Sequence, residues 1–320
     1  MRDFLFYKLH DNRFTRPVKR LIVRLIATGN ASRRALNHYY GSLGAEARAN
    51  FYMRYAKVFR QRGVSMSPGE WKISFVGREI LLPLRTSWSW LDWDNAVSIV
   101  GHDIEVKETY AALVESDQRP SLFLDIGANY GTHSVLFLSA GVPVIAFEPN
   151  PSCSAYFETV CKINGLSGRW EQVAIGRETG ELELIYSEKD TWLGSVSVGV
   201  SPKQQGSGDM ASVRVPVRNL DYYFNDIPHG KILIKIDVEG YEYEVLKGAS
   251  QVLHDCMPTI IFESNGNRER NELFHLLAGF GYCVHLLPWR PSGDSQSLDA
   301  KEFVASTAVN FIAIPQIQLV

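Results

Sequence analysis

The chain has 320 residues, of which 45% are hydrophobic and 21% are charged. These values are ordinary for a globular protein, and they exclude a collagen-like or an intrinsically disordered chain. The formal net charge is only −2, but residues 1–62 contain 14 Lys or Arg and 3 Asp or Glu. This basic segment predicts packing against an acidic protein surface or contact with an acidic partner.

The start of the chain is interrupted by charges, and its apolar stretches are too short for a secretory signal or a membrane span. The four cysteines form no C-x-x-C pair, and no His lies at zinc-ligand spacing from them. We therefore expect a cytoplasmic protein with reduced cysteines.

Two basic helices are predicted near the start, over 15–28 and 45–61, with Gly29 and Asn30 between them. In the first helix, Val18, Leu21, Ile22 and Leu25 share one face. Such a face can lie on a membrane surface or pack against protein, including a second copy of the chain. Both alternatives remain open, and residues 1–70 are interpreted as a basic helical extension.

The next segment predicts a hairpin over 71–84 and a helix over 104–116. Trp88, Trp90 and Trp93 lie between them, and they suit either an acceptor pocket or core packing. From residue 121 onwards, short apolar runs alternate with helical segments, which indicates a parallel sheet with helices on both faces. The predicted strands are 121–126, 143–147, 169–175, 232–236 and 259–262, with an antiparallel closing pair at 282–287 and 308–314. The predicted helices are 132–140, 151–163, 241–253 and 268–280.

Residues 180–217 break this alternation. Three segments, 181–186, 195–200 and 212–217, alternate like strands and surround a polar loop at 201–210. We interpret them as a β insertion near the site. The expected fold is thus α/β and Rossmann-like, with a mostly parallel seven-stranded sheet whose core spans about 118–320.

The strongest motif joins a buried strand to a helix through a glycine turn, Asp125-Ile126-Gly127-Ala128-Asn129-Tyr130-Gly131. In such sheets this turn binds a nucleotide-like ligand. The two glycines are expected to let the backbone approach the ligand. The start of the helix that follows the turn suits a carboxylate.

A second acid, Glu148, ends the next strand 23 residues after Asp125, which suits hydrogen bonds to ribose hydroxyls. A dinucleotide fingerprint needs a middle glycine, but position 129 is Asn. Asp125 suits an ammonium group instead. The pattern therefore favours S-adenosylmethionine (SAM) over a dinucleotide.

Asp237 follows another buried strand, within Lys235-Ile236-Asp237-Val238-Glu239-Gly240, and Glu263 ends the last parallel strand. Because ligands bind at the carboxyl ends of such strands, these acids are expected to converge near the reacting group.

These segments carry a family resemblance. The motifs at 125–131, 147–150, 215–221, 235–242, 246–249 and 258–263 resemble, in that order, those of the FkbM methyltransferases, a family of SAM-dependent O-methyltransferases. The resemblance covers about residues 100–315 and implies the class I methyltransferase fold, so that a methyltransferase domain is expected over 71–320. It also implies methyl transfer from SAM to a hydroxyl of a carbohydrate or polyketide acceptor. The candidate cofactor-binding residues are Asp125, Gly127, Ala128, Asn129, Gly131, Glu148, Asn150 and Ala174.

Because an alcohol is a poor nucleophile, a general base is expected. The candidates are Asp237, Glu239, Glu263 and His133. No ligand spacing demands a metal, so none is predicted. The partner is expected to be a small-molecule or glycan acceptor, with a homodimer left open. A nucleic-acid methyltransferase is the alternative reading of the basic arm, but Asp-Val-Glu-Gly stands where base methylation usually has an Asn/Asp-Pro-Pro-aromatic loop. A non-catalytic scaffold is the third reading, against which the intact acids weigh.

Overall fold

The computed structural model describes residues 17–18, 21, 25–26, 28–59, 68–85, 89–187, 195–197, 210–265, 269–293 and 295–316. Contacts divide the chain into two compact units, residues 1–104 and 105–320. The hairpin predicted over 71–84 thus groups with the N-terminal residues, and the predicted domain limits at 70 and 71 stay a prediction. None of the helices described is both long enough and apolar enough to cross a bilayer.

From residue 29 onwards, the described part of the first unit contains three helices and one hairpin. Its elements are α1 (Asn30–Ser42), α2 (Ala45–Phe59), β1 (Gly69–Phe75), β2 (Arg78–Leu84) and α3 (Ser89–Ser98). The hairpin and α2 are confirmed, whereas α1 and α3 were not predicted. The segment of α1 is largely polar and contains few large apolar residues, so no apolar run indicated a helix there.

The predicted helix over 15–28 is helical at each of its described positions from Pro17 onwards, and its other positions lie outside the described residues. The side chains of Val18, Leu21 and Leu25 are 57–59% exposed. The two alternatives for this apolar face, contact with a membrane and packing against protein, both stay predictions.

An aromatic cluster forms the core of the first unit. The rings of Trp71 and Trp93 meet edge to face with centroids 5.1 Å apart, and Tyr40 packs against Trp71. All three side chains are at most 2% exposed. Trp93 is therefore a core residue and does not wall a pocket, while Trp88 and the side chain of Trp90 lie outside the described residues.

The second unit is built on a seven-stranded sheet in the order β12-β13-β11-β10-β3-β4-β5, in which β13 runs in the direction opposite to the other six strands. Its strands are β3 (Leu122–Ile126), β4 (Val144–Phe147), β5 (Arg169–Glu171), β10 (Ile232–Ile236), β11 (Thr259–Glu263), β12 (Tyr282–Leu286) and β13 (Asn310–Pro315). The predicted parallel sheet with an antiparallel closing pair is confirmed.

Helices connect these strands and cover both faces of the sheet. They are α4 (Ile104–Val114), α5 (Thr132–Ser139), α6 (Ser154–Asn164), α7 (Glu242–Lys247), α8 (Arg270–Gly279) and α9 (Ala300–Ala305). On one face of β3, Phe123 stacks on Phe137 of α5 and meets Tyr110 of α4. On the other face, Leu124 and Ile126 join the main apolar core with residues of α7 and α8.

The insertion is a four-stranded sheet in the order β6-β9-β7-β8. It comprises β6 (Ala174–Ile175), β7 (Gly180–Ser187), β8 (Ser195–Ser197) and β9 (Met210–Arg218). The single strand predicted over 169–175 is therefore wrong, because β5 pairs with β4 while β6 pairs with β9. Residues 201–209 of the predicted polar loop lie outside the described residues, and position 210 begins β9.

The single helix predicted over 241–253 is also wrong. Helix α7 ends at Lys247, and a π-helical turn follows over Val252–Cys256. The carboxylate of Asp221 accepts hydrogen bonds from the backbone N–H groups of Gln251 and Val252, and so caps a second helical start. A side chain about 30 residues earlier thus divides the helix.

Two glycines shape the turn after β3. Gly127 has φ +78°, and a Cβ there would lie 1.8 Å from the carbonyl oxygen of Asp237. Gly131 has φ +69°, and its Cβ would lie 2.4 Å from the Phe157 ring. The space beside both glycines is therefore filled by protein, whereas the sequence reading expected it to admit a ligand. Their absent side chains let the loop after β10 and helix α6 close on the turn.

We expect Gly127→Ala to destabilise the protein far more than Gly165→Ala. Both glycines have positive φ, but nothing lies within 4 Å of a Cβ at position 165. The αL conformation alone costs about 1–2 kcal/mol, and overpacking at position 127 adds about 1–3 kcal/mol. Urea denaturation measures the free energy of unfolding of both variants. Equal losses of stability would show that the Asp237 carbonyl can move aside without an energetic penalty.

Candidate functional site

Four strand ends meet at one edge of the large sheet. Strands β4 and β10 lie on either side of β3, so the strand order reverses there, and a crevice opens outside the carboxyl ends at such a point. Asp125 lies near the end of β3, Glu148 follows β4, Asp237 follows β10 and Glu263 ends β11. The structure therefore brings together the four acids that the sequence placed at strand ends.

Asp125 is completely buried. Its Oδ2 accepts a hydrogen bond of 2.6 Å from the Ser134 hydroxyl of α5, while its Oδ1 has no partner among the described residues. Burial raises the pKa of this carboxyl, and the nearby Lys235 ammonium opposes the increase. A buried acceptor without a donor is costly, which suits a ligand or water that brings one.

Glu148 fixes the glycine turn to the loop after β4. Its two carboxylate oxygens accept backbone N–H bonds of 2.8 Å from Asn129 and Asn150. A carboxylate offers about four lone-pair sites, so it retains acceptor capacity for two hydroxyls. Burial raises the pKa of Glu148 to about 7.

The other predicted cofactor residues lie around this pair. Asn150 is 3% exposed, and its Nδ2 is buried without a hydrogen-bond partner among the described residues. The backbone N–H of Ala128 donates to Phe147 O. Ala174 is buried in β6 and therefore lies in the smaller sheet, beyond the end of β5. Their contact with a cofactor stays a prediction.

Three carboxylates form a cluster at the ends of β10 and β11. Oxygen atoms of Asp237, Glu239 and Glu263 lie within 4.8 Å of one another, which is close enough for them to share a cation. The sequence predicts no metal, and a cluster of this kind does not require one. Burial and the neighbouring Asp237 raise the pKa of Glu263 to about 9, so Glu263 retains its proton at neutral pH.

Lys235 sets the charge of this cluster. Its ammonium lies 2.7 Å from Asp237 Oδ2, and its side chain is only 5% exposed. An ammonium at this distance stabilises the ionised carboxylate. Lys235 thus favours the ionised form of Asp237, whereas burial favours the protonated form of Glu263, and two acids with opposite tendencies suit acid–base chemistry.

Glu242 holds the loop that carries Glu239. This residue is 3% exposed, and its Oε1 accepts backbone N–H bonds from Val238 and Gly240. The loop needs such support because Glu239 has φ +54° and Gly240 has φ +96°.

His133, in the first turn of α5, contacts two residues of α4. Its Nδ1 lies 2.9 Å from the Tyr110 hydroxyl, and its Nε2 lies 3.5 Å from the Lys107 ammonium. Since both ring nitrogens already have partners, His133 is a weaker candidate for the base than Asp237.

Sequence reasoning assigned no role to Lys235, Glu242, Ser134, Lys107 or Tyr110. A signal existed for Lys235, because it is a charged residue inside an otherwise apolar strand. The other four lie on helices whose pattern does not distinguish them from ordinary helical positions.

A seven-stranded sheet of this order, with its site at the ends of β3, β4 and β10, defines a class I methyltransferase fold. Residues 125–284 match the family model described as the methyltransferase FkbM domain. This chain belongs to the FkbM methyltransferase family. Membership supports SAM as the methyl donor.

Several known proteins are similar to parts of the chain. "Methyltransferase 1" of Beauveria bassiana is 27% identical over 192 residues, which are 53% of this chain and 76% of the relative. "Hexuronic acid methyltransferase AglP" of Haloferax volcanii is 28% identical over 151 residues, covering 47% of this chain and 58% of that protein. The crystal structure of an FkbM methyltransferase from Methylobacillus flagellatus is 13% identical, with a TM-score of 0.38, and 83% of this chain covers 60% of it.

The raised pKa of Glu148 predicts a pH dependence of stability. The group is protonated more readily in the folded state than in the unfolded state, where the pKa is 4.5. Its stabilising contribution is therefore present below pH 4.5 and is lost as pH rises through about 7. The deficit of Glu148→Gln relative to the unsubstituted protein should shrink by about 2–3 kcal/mol between pH 5 and pH 8.

Urea denaturation at several pH values measures this deficit. Glu158→Gln, which changes an exposed acid on α6, serves as the control and should follow the unsubstituted protein. Parallel curves for Glu148→Gln and the unsubstituted protein would contradict the predicted pKa.

Glu242→Ala should lower the free energy of unfolding by about 1–2 kcal/mol, because two backbone donors lose their acceptor. Glu242→Gln keeps a carbonyl oxygen at the same place and should lose markedly less. Chemical denaturation of the two variants tests this, and equal losses would mean that the carboxylate charge matters rather than the hydrogen bonds.

Proposed function

We propose that the chain is a SAM-dependent O-methyltransferase that acts on a hydroxyl of a carbohydrate or a polyketide-type natural product. The observation that carries the proposal is the pairing of Asp237 with Lys235 beside Glu263, at the sheet edge where the cofactor motif ends. This arrangement supplies an ionised carboxylate at the place where a hydroxyl must lose its proton.

The buried polar atoms of the site fit SAM. Asp125 Oδ1 lacks a donor and Asn150 Nδ2 lacks an acceptor among the described residues, while Glu148 keeps free lone pairs. The ammonium, the ribose hydroxyls and the carboxylate of SAM suit Asp125, Glu148 and the start of α5 respectively. When bound, SAM supplies an electrophilic methyl group.

The chain's own residues provide positioning and a path for the proton. Asp237, kept ionised by Lys235, accepts the proton of the acceptor hydroxyl. Glu263, whose pKa is raised by burial and by Asp237, donates a hydrogen bond within the cluster, while its Oε1 accepts a hydrogen bond of 2.7 Å from Asn265 Nδ2 that opposes this increase. Glu239 lies on the exposed side of the cluster and is placed to contact the acceptor.

The proposed acceptor class is based on the family resemblance and on the name of one relative. The name of the Haloferax volcanii protein assigns it to hexuronic acids, which supports a sugar acceptor for this chain. A uronic acid offers both hydroxyls and a carboxylate, so the position of the new methyl group decides between an ether and an ester.

Calorimetry should show SAM binding by the full chain. Asp125→Ala and Glu148→Ala should each weaken it by more than about tenfold, which corresponds to about 1.4 kcal/mol. Asp255→Asn, which changes an exposed acid in the π-helical turn, is the control and should bind normally. Unchanged SAM affinity in both site variants would contradict the proposed role of Asp125 and Glu148 in cofactor binding.

Methyl transfer should be measured with radiolabelled SAM and a panel of neutral sugars, uronic acids and macrolides. We expect Asp237→Asn to lower turnover by about 10²–10⁴-fold while SAM affinity changes little. The label should resist mild alkali, since an ether is stable where a methyl ester is hydrolysed. Release of all label by alkali would show that a carboxylate is methylated, and no transfer to any acceptor would favour a non-catalytic scaffold.

A further inference from the structure

Exposed large apolar side chains are concentrated near the start of the described part of the chain. Among the described residues, six such side chains are more than half exposed, and five of these six lie between positions 18 and 53. The five are Val18, Leu21, Leu25, Tyr39 and Met53. A single exposed apolar residue needs no explanation, whereas several on one helix face mark an interaction surface.

Three of these side chains share one face of the first helix. Each described residue within 17–28 is helical. Val18, Leu21 and Leu25 are spaced by three and four residues, which places them on the same side of that helix. Their side chains are 57–59% exposed, so the described residues leave most of this apolar face uncovered.

The same part of the chain has a high density of positive charge. Residues 12–45 contain seven Lys or Arg and no Asp or Glu. Four of the seven fall within 16–24, and the helical period of the sequence predicts that they lie away from the apolar face. An apolar face opposite several cations is the pattern of a helix that lies in a membrane interface.

This charge distinguishes an anionic bilayer from the other candidate occupants of the face. A second copy that paired through the same face in a two-fold dimer would bring two basic segments together, and the like charges would repel each other. A nucleic acid would attract the cations, but contacts with phosphates make no use of an apolar face. An anionic bilayer uses both features, because its headgroups attract the cations and its acyl chains accept the apolar side chains.

We propose that the helix containing Val18, Leu21 and Leu25 binds the surface of an anionic lipid bilayer. Its apolar face enters the boundary between headgroups and acyl chains, and its basic residues remain at the headgroups. Such a helix lies in the plane of the interface and does not cross the bilayer. The inference is independent of the proposed methyl transfer and concerns the first unit alone.

Co-sedimentation of the full chain with phospholipid vesicles tests the proposal. Vesicles of equal parts phosphatidylglycerol and phosphatidylcholine should bind the protein. Vesicles of phosphatidylcholine alone should bind it at least about tenfold more weakly, because they do not attract the cations. Added NaCl should weaken binding to the anionic vesicles, since salt screens this attraction.

Two double variants separate the apolar contribution from the electrostatic one. Leu21→Ser/Leu25→Ser keeps every charge and removes two inserting side chains, so it should lower the affinity for the anionic vesicles by at least about tenfold. Arg20→Gln/Arg24→Gln keeps the apolar face and removes two cations, and it should lower this affinity by about tenfold or more.

A third double variant is the matched control. Ile163→Ser/Met257→Ser changes two exposed apolar side chains of the second unit and should bind the anionic vesicles like the unsubstituted protein. Thermal denaturation should show that both serine variants fold, because the substituted side chains are exposed.

Three results would overturn the proposal. Equal binding to the two kinds of vesicle would exclude a preference for anionic lipid. Unchanged binding by Leu21→Ser/Leu25→Ser would show that the apolar face does not enter the bilayer. Light scattering without lipid detects the rival occupant: a dimer that this variant converts to a monomer, in a protein that binds no vesicles, would assign the face to a second copy of the chain.

Discussion

The parallel pairing of β3 with β10 is the constraint on which the site depends. The two strands lie side by side over five residue pairs, although more than a hundred residues separate them in the chain. The pairing continues beyond the strands, since the backbone N–H of Asp237 donates to Ile126 O. The Asp237 carbonyl also lies over Gly127. The turn assigned to the donor and the loop that carries the candidate base are therefore fixed to each other, and a shift of one displaces the other.

Much of this arrangement could be predicted from the sequence, because buried parallel strands appear as nearly continuous apolar runs. The predicted bounds of β10 agree with the structure, and the acids at the strand ends follow from them. The failures have a common physical cause. A contact with Asp221 divides the helix predicted over 241–253, and pairing with β9 draws β6 away from β5. Local patterns do not contain such contacts between distant segments.

The candidate site shows the same limit. The types of its acids and their strand-end positions were readable, but the state of each acid depends on neighbours supplied by other elements. Ser134 binds Asp125 from α5, Lys235 binds Asp237 from within β10, and Glu242 holds the loop around Glu239. The glycines illustrate a further limit. Positive φ was foreseeable at the turn, yet the atoms that occupy the space beside Gly127 and Gly131 belong to distant parts of the chain.

The buried acids lower the stability of the folded protein when no ligand is bound. Asp125 and Glu148 are buried, and burial raises the pKa of each because the ionised form loses its hydration. Lys235 offsets this for Asp237, because its ammonium lies 2.7 Å from that carboxylate. A donor that carries an ammonium and a sulfonium group brings two positive charges to this edge. Its binding is therefore coupled to stability, since a ligand that binds only the folded state raises the free energy of unfolding with its concentration. The electrostatic cost stored at the strand ends is in this way a source of selectivity for a cationic cofactor over a neutral or anionic nucleotide.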